Sequence, residues 1–192
     1  MSEPPSTDQV LTVPNVITFV RLGLVPFFVW AFLTSSDWWA LGLLFVIGNS
    51  DWIDGFVARR LGQVSELGKI LDPISDRVAI VAVMLAVSIR GLVPPLLSAV
   101  ILGREALVAV AFGILEGRGL PRIPVNRVGK VATLAIFTGM GVTVLSVVMP
   151  IASGERVRTV AIGILIVGAA LYWVATGMYF NEARKLWAHR GT

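Results

Sequence analysis

Six long apolar segments, separated by short polar stretches, dominate the pattern of hydrophobic and polar positions along this 192-residue chain. A lipid hydrocarbon core of about 30 Å is crossed by roughly 20 mostly apolar helical residues. The pattern therefore predicts an all-α integral membrane protein with six transmembrane helices. The predicted spans are residues 17–34, 38–60, 73–90, 93–115, 129–150 and 157–183, with Asn15 as a possible N-cap of the first.

Composition agrees with that pattern, and the length of 192 residues indicates one domain. Hydrophobic residues make up 56% of the chain and charged residues 15%, whereas soluble domains carry about 25% charged residues. The surplus of apolar side chains is too large for one small core, so it is expected to face lipid. We predict a single membrane domain over residues 1–192. Residues 1–13 lack the features of a signal peptide and are expected to form a disordered or interfacial lead-in.

The distribution of basic residues predicts the orientation. Six spans place both termini on one side of the membrane, and that side holds twelve Lys and Arg residues against three on the other. Both termini and the loop around residues 51–76 are therefore expected to be cytoplasmic. The net charge of +4 fits anionic lipid headgroups better than nucleic acid. The twelve are Arg21, Arg59, Arg60, Lys69, Arg77, Arg118, Arg122, Arg127, Lys130, Arg184, Lys185 and Arg190, and the three are Arg90, Arg156 and Arg158.

Several kinds of chemistry are excluded by residue counts. The chain has no cysteine, so it has no disulfide, thiolate nucleophile or cysteine metal site. Its one histidine, His189, lies near the C-terminus and is a poor catalytic candidate. Carboxylates remain as the plausible catalytic groups.

Four aspartates stand in one stretch, DWIDGFVARRLGQVSELGKILDPISD, between the second and third apolar segments. Asp51 and Asp54 are one helical turn apart, and Asp72 and Asp76 are one turn apart if the third helix covers them. Pro73 is expected near the start of that helix, which would place Asp72 and Asp76 in its first turns. A short connection would make the two helices antiparallel neighbours and bring the four carboxylates together.

Clustered carboxylates repel one another unless cations are bound. Ligand sets made only of oxygen suit Mg²⁺, Mn²⁺ or Ca²⁺ rather than zinc. Two such ions would leave coordination positions open for the oxygens of a diphosphate, an arrangement suited to transfer of a phosphoryl-type group. One aspartate outside the metal shell could act as general base toward a hydroxyl.

Each of these residues also has a purely structural explanation. A lone Asp-x-x-Asp at a helix end is usually a solvated pair, although the longer spacing here argues against that. Gly55, Ala58 and Gly68 could serve helix packing alone. Arg59 and Arg60 could serve orientation alone, and for Arg60 that explanation is favoured.

A second group of charges lies further along the chain. Arg104 and Glu105 within the fourth span either form a mutual ion pair or expose Arg104 to an anionic acceptor. Lys130 either reaches toward the interface or binds phosphate. Trp38, Trp39 and Trp187 are expected to be interfacial anchors.

The motif D-x2-D-G-x2-A-R-x8-G-x3-D-x3-D resembles the signature of the CDP-alcohol phosphatidyltransferases at every fixed position. The resemblance implies a Mg²⁺- or Mn²⁺-dependent membrane enzyme, often a homodimer, in which an acceptor hydroxyl attacks the β-phosphate of a CDP-linked lipid and CMP leaves. It implies that Asp51, Asp54, Asp72 and Asp76 bind two metal ions, with Asp76 also the catalytic base. The implied contacts to the cytidine diphosphate are Gly55, Ala58, Arg59 and Gly68.

Other segments narrow the acceptor. VLTVPNVITFVRL, LDPISDR and NRVGKVAT resemble the phosphatidylglycerolphosphate synthase and actinobacterial-type cardiolipin synthase branch, which implies a bacterial cell membrane. The acceptor would be glycerol 3-phosphate or phosphatidylglycerol, with an inositol phosphate as the alternative. Charge-assisted contacts to its phosphate are expected from Arg104, Lys130, Arg122 and Arg127, with Arg118 a further candidate.

Two other classes of protein would use these residues differently. A metal-ion transporter would spread its carboxylates through the depth of the membrane, whereas these cluster near one surface. A catalytically silent scaffold would keep the fold without binding CDP-diacylglycerol, and the four intact aspartates argue against it.

Overall fold

The structure is a computed structural model that describes residues 12–61, 66–117 and 127–188, and within these ranges all secondary structure is α-helical. The side chains of residues 13–14, 51–61, 66–67, 69–70, 72–73, 115–116 and 182–188 lie outside the description. The helices are α1 (Val13–Leu33), α2 (Asp37–Leu61), α3 (Glu66–Ile89), α4 (Pro95–Gly117), α5 (Arg127–Val148) and α6 (Ile151–Ala188).

The six helices correspond to the six predicted segments, and the third differs most at its start. The prediction began that helix at residue 73, but α3 begins at Glu66 and contains Pro73. Asp72 and Asp76 are therefore the seventh and eleventh residues of α3, not residues of its first turns. Pro73 cannot donate a hydrogen bond to the carbonyl of residue 69, so the helix continues there with one backbone bond fewer.

The first helix is capped at both ends by short polar residues. Thr12 has extended backbone angles and accepts a hydrogen bond from the backbone N–H of Asn15, so Thr12 is the N-cap and the expectation for Asn15 is wrong. At the other end Ser35 has φ 60°, and Ser36 donates its N–H to the carbonyl of Ala31. This arrangement closes the helix as a Schellman motif does, and it lets the chain reverse into α2 within three residues.

The chain forms two compact units, Met1–Ala86 and Val87–Thr192. In the first unit α1 packs against α2. The inner face of α1 is polar toward its N-terminus and apolar toward its C-terminus. Its buried residues are Thr12, Asn15, Thr18 and Arg21, followed by Val25, Phe28, Ala31 and Phe32.

In the second unit α6 packs against α5 and α4. The α5–α6 pair is close because glycines of each helix leave room for the other. A Cβ added to Gly154 would lie 2.5 Å from the carbonyl oxygen of Ser146, and one added to Gly139 would lie 2.7 Å from the side chain of Leu165. A side chain at position 154 would therefore push the two backbones apart, whereas one at position 139 would displace the side chain of Leu165.

Four helices in the described part of the chain are long and apolar enough to cross a membrane, at Asn15–Leu33, Pro95–Ile114, Arg127–Val148 and Ile151–Asn181. Large apolar side chains lie on their outer surfaces, among them Phe27, Trp30 and Val110. The aspartate stretch belongs to the other two described helices, α2 and α3.

Candidate active site

The first half of the aspartate motif belongs to α2, whose described buried face extends as far as Ile47. Ala40, Leu44 and Ile47 are buried and stand at helical spacing along that face. Asp51 and Asp54 follow at the same spacing within the same helix. Their side chains lie outside the described residues.

The second half of the motif belongs to α3. Gly68, Ser75 and Ala79 are buried, and Asp72 and Asp76 stand at positions of the same stripe. Because α3 covers the whole stretch from Glu66, the condition on which the sequence prediction depended is met. Gly68, Asp72 and Asp76 share one helical face.

One side chain joins the two halves. Arg21 of α1 donates from Nε to Ser50 Oγ at 3.0 Å, and from Nη1 to Ser75 Oγ at 3.2 Å and Asp76 Oδ1 at 2.7 Å. Ser50 directly precedes Asp51, and Ser75 directly precedes Asp76. The guanidinium of Arg21 therefore contacts the residue that precedes the first half of the motif and the last residue of the second half.

Sequence reasoning counted Arg21 only among the orienting positive charges, but the structure buries it. It lies inside the apolar span Asn15–Leu33, and its side chain is 1% exposed. A charged residue within an apolar span usually faces a partner in the protein interior. Asn15 and Thr18, at three-residue spacing before Arg21, are buried as well. That polar row on one face of α1 is the signal that could have identified Arg21.

The groups present have the donor chemistry of a site for hard divalent cations, because all four fixed acidic residues offer carboxylate oxygens. Asp76 is half-exposed, so a carboxylate oxygen can reach solvent or a ligand. No group of three or more acidic, histidine or cysteine side chains is found among the residues the structure describes. The side chains of Asp51, Asp54 and Asp72 lie outside that part, so the metal assignment stays a prediction.

The predicted nucleotide contacts are placed by their helices. Gly55, Ala58 and Arg59 belong to the last turns of α2, and their side-chain surroundings lie outside the described residues. Gly68 is buried near the start of α3. The helical register keeps Gly55 and Ala58 beside Asp51 and Asp54, and the assignment of nucleotide contacts stays a prediction.

Among the predicted acceptor contacts, Arg104 has a defined structural environment. Its Nη1 lies 2.9 Å from Glu105 Oε1, its Nε donates to Thr176 Oγ1 at 3.0 Å, and its guanidinium carbon lies 3.9 Å from the centre of the Tyr172 ring. Arg104 and Glu105 are both buried. The mutual ion pair is formed within α4, and the contacts of Arg104 with Thr176 and Tyr172 join α4 to α6. A role in binding the acceptor stays a prediction.

The other predicted acceptor contacts lie around the start of α5. Arg127 is the first residue of that helix, and Arg127 and Lys130 are both exposed. Arg118 and Arg122 lie outside the described residues. The exposed positions are available to a phosphate, and their assignment stays a prediction.

Comparison with known proteins identifies the same motif-bearing region. The family model for CDP-alcohol phosphatidyltransferase matches residues 11–179, which includes both halves of the aspartate motif and all six helices in whole or in part.

Individual relatives match between 64% and 94% of this chain. A cardiolipin synthase (CMP-forming) of Streptomyces coelicolor is 38% identical over 94% of this chain and 86% of its own length. A CDP-diacylglycerol–glycerol-3-phosphate 3-phosphatidyltransferase of Sodalis glossinidius is 33% identical over 94% of this chain and 96% of its own. The enzyme of that name from Bacillus subtilis is 33% identical over 64% and 70%.

Proposed function

The chain belongs to the CDP-alcohol phosphatidyltransferase family, and we propose that it transfers a phosphatidyl group from CDP-diacylglycerol to the hydroxyl of a glycerol-type acceptor, releasing CMP. The observation that carries the proposal is the contact of one buried guanidinium, that of Arg21, with Ser50 and Asp76. This contact supports a single site built from both halves of the motif.

In the proposed reaction the acceptor oxygen bonds to the β-phosphorus of CDP-diacylglycerol, and the bond from that phosphorus to the CMP oxygen breaks. Asp76 takes the proton from the acceptor hydroxyl. Its half-exposed carboxylate, beside the buried residues Ser75 and Ala79, suits a group that meets substrate on one side and protein on the other.

We propose that Asp51, Asp54, Asp72 and Asp76 hold two Mg²⁺ or Mn²⁺ ions. When bound, the ions would neutralise the diphosphate and the departing CMP. The small residues Gly55 and Ala58 leave room for the nucleotide on α2, and Arg59 follows on the same helix with a cation for its phosphates.

The acceptor we propose is phosphatidylglycerol, which would give cardiolipin. The support is the similarity to the Streptomyces coelicolor cardiolipin synthase over nearly the whole chain. Glycerol 3-phosphate is the second candidate, supported by the relative from Sodalis glossinidius, which covers the same share of the chain. Both acceptors are anionic, and Lys130 and Arg127 are exposed cations suited to contact them.

The reaction is tested with purified protein, CDP-diacylglycerol and Mg²⁺ by supplying phosphatidylglycerol, glycerol 3-phosphate and inositol phosphate in separate reactions. We expect CMP and cardiolipin from the first. Phosphatidylglycerolphosphate from the second reaction alone would select the other acceptor, and product from inositol phosphate alone would overturn the placement within the family. Wild-type turnover by Asp76→Asn would refute the assignment of the base.

The protein is an integral membrane protein by its family and its apolar helices, and we further propose six spans in a bacterial cell membrane with a cytoplasmic active site. The chain has no cysteine, so single cysteines report topology without interference. Ser35→Cys should react with an impermeant maleimide on intact cells, whereas Arg127→Cys should react only after permeabilisation. The reverse pattern would contradict the orientation.

We also propose that the enzyme is a homodimer, as the family resemblance implies. Light scattering of the protein in detergent, with the detergent mass subtracted, should give twice the mass of 20.6 kDa. A monomeric mass in an active preparation would contradict this proposal without affecting the proposed reaction.

A further inference from the structure

We infer that Arg21 is a positioning residue for the reaction, one that fixes the carboxylate of Asp76 in the orientation needed to receive the acceptor proton. This inference rests on the proposed function and adds a residue of α1 that lies outside the aspartate motif. Three kinds of observation support it: the burial of Arg21, the geometry of its hydrogen bonds and the uneven exposure of the ion pair.

The burial of Arg21 requires strong partners. Arg21 lies about 9 Å along the helix axis from Asn15, the first residue of the apolar span, at 1.5 Å per residue. Removing a guanidinium from water is costly unless its hydrogen bonds are satisfied. Its Nε and Nη1 donate to Ser50, Ser75 and Asp76, so the charge is stabilised by groups at both halves of the motif.

The geometry fixes a direction as well as a distance. The guanidinium is a rigid planar fork, so the bond from Nε to Ser50 Oγ sets the direction in which Nη1 reaches Asp76 Oδ1. Ser50 is itself held, because its hydroxyl donates to the carbonyl of Ile47 at 2.8 Å. These hydrogen bonds thereby fix the orientation of the Asp76 carboxylate relative to the backbone of α2. A lysine at position 21 would place a charge there but would lack the planar fork.

The exposure of the two partners separates this ion pair from one that is buried on both sides. In the pair Arg104–Glu105 both side chains are buried, at 7% and 4% exposure. In the pair Arg21–Asp76 the arginine is 1% exposed and the aspartate 36%. The cation is enclosed while the carboxylate remains accessible, as expected when one end of a reactive group is held and the group still meets its substrate.

The test is a double-mutant cycle with Arg21→Lys, Asp76→Asn and the double variant, using radiolabelled CDP-diacylglycerol to detect slow turnover. A displaced catalytic group can lower the rate on the order of 100-fold, and we expect such a fall in kcat for Arg21→Lys. We expect KM for CDP-diacylglycerol to stay within about twofold, because the fork positions the base and not the substrate. Thermal stabilisation by added CDP-diacylglycerol should be retained.

The double variant distinguishes positioning from structural support. If Arg21 acts through Asp76, adding Arg21→Lys to Asp76→Asn should lower the residual rate by less than about twofold, because residues that act as a unit are not additive. Independent, multiplying losses would overturn the inference, and so would a rise in KM with kcat unchanged. Arg158→Lys is the matched control, since it makes the same change in an exposed ion pair with Glu155 and should leave kcat unaltered.

A second cycle covers the case in which Arg21→Lys does not fold. Ser50→Ala removes only the acceptor of the Nε bond, so a smaller fall in kcat is expected, and the fall should disappear in the Asp76→Asn background. Additive effects in this cycle would also overturn the inference. Absence of CMP release from the wild type would instead refute the proposed function, so the two failures are distinguishable.

Discussion

The buried ion pair between Arg104 and Glu105 provides the sharpest stability prediction. Glu105→Gln removes the negative charge, keeps nearly the same shape, and leaves the guanidinium of Arg104 without its counter-charge 2.9 Å away. The matched control is Glu155→Gln, because Glu155 forms an ion pair of 2.7 Å with Arg158 in which the side chains are 59% and 33% exposed. The chemical change is the same, and only the burial differs.

The magnitude follows from desolvation. Removing one partner of a buried pair in a soluble protein costs about 3–5 kcal/mol, and polar contacts inside membrane proteins measure lower, up to about 1.7 kcal/mol, because the unfolded chain also finds partners. Arg104 keeps its bond to Thr176 and its contact with the Tyr172 ring. We therefore expect Glu105→Gln to lose about 2–4 kcal/mol and Glu155→Gln to lose about 0–1 kcal/mol.

The free energy of unfolding can be measured in mixed micelles by titration with sodium dodecyl sulfate, followed by circular dichroism. If the two variants differ by less than about 0.5 kcal/mol, an ordinary surface effect, the reasoning from burial is refuted. The acceptor hypothesis for Arg104 makes a separate prediction, in which Arg104→Lys raises KM for the anionic acceptor while stability is retained. A large loss of stability with unaltered KM would assign Arg104 to the structure alone.

Three further predictions concern packing, the turn after α1 and the metal. Gly154→Ala should lower the free energy of unfolding by about 1–3 kcal/mol in the same assay, since its Cβ would meet the Ser146 carbonyl. The control Gly163→Ala has nothing within 4 Å of its added Cβ and should cause no loss. Equal losses would contradict the close approach of α5 and α6. Ser35→Gly should gain about 1 kcal/mol, because φ 60° is costly for a residue with a Cβ, and a loss of stability would contradict this. Chelation of divalent ions should abolish CMP release and Mn²⁺ should restore it; undiminished activity after exhaustive chelation would refute the metal proposal.

Much of the helical architecture was predictable because the length of an apolar segment can be read directly from the local sequence. The six apolar segments correspond to the six described helices. The ends were less predictable, since a proline weakens a helix without always ending it. The prediction started the third helix at Pro73, but α3 begins at Glu66. The first N-cap was misplaced from Thr12 to Asn15 because these two polar residues, three positions apart, offer similar capping chemistry.

The aspartates were identifiable for a similar reason. Spacings of three and four residues place side chains on one helical face whatever the tertiary structure, so Asp72 and Asp76 could be paired from the sequence. For Arg21, the same spacing could indicate only a polar face of α1, shared with Asn15 and Thr18, and not the groups that Arg21 contacts. Its partners Ser50 and Ser75 are 29 and 54 positions away, and a single arginine near the end of an apolar span resembles an orienting charge.

The sequence by itself determined that the chain is helical and apolar, and that it carries a motif of eight fixed positions, four of them aspartates. It also determined that carboxylates are the plausible catalytic groups. These conclusions depend on residue type and short-range spacing. Only the tertiary structure decided that Arg21 is buried against Asp76 and that Arg104 is paired with Glu105 and Thr176. Burial and long-range contacts decide the role of an arginine. In water its charge serves to orient a helix in the membrane, whereas a buried guanidinium beside a carboxylate holds that carboxylate in a fixed direction.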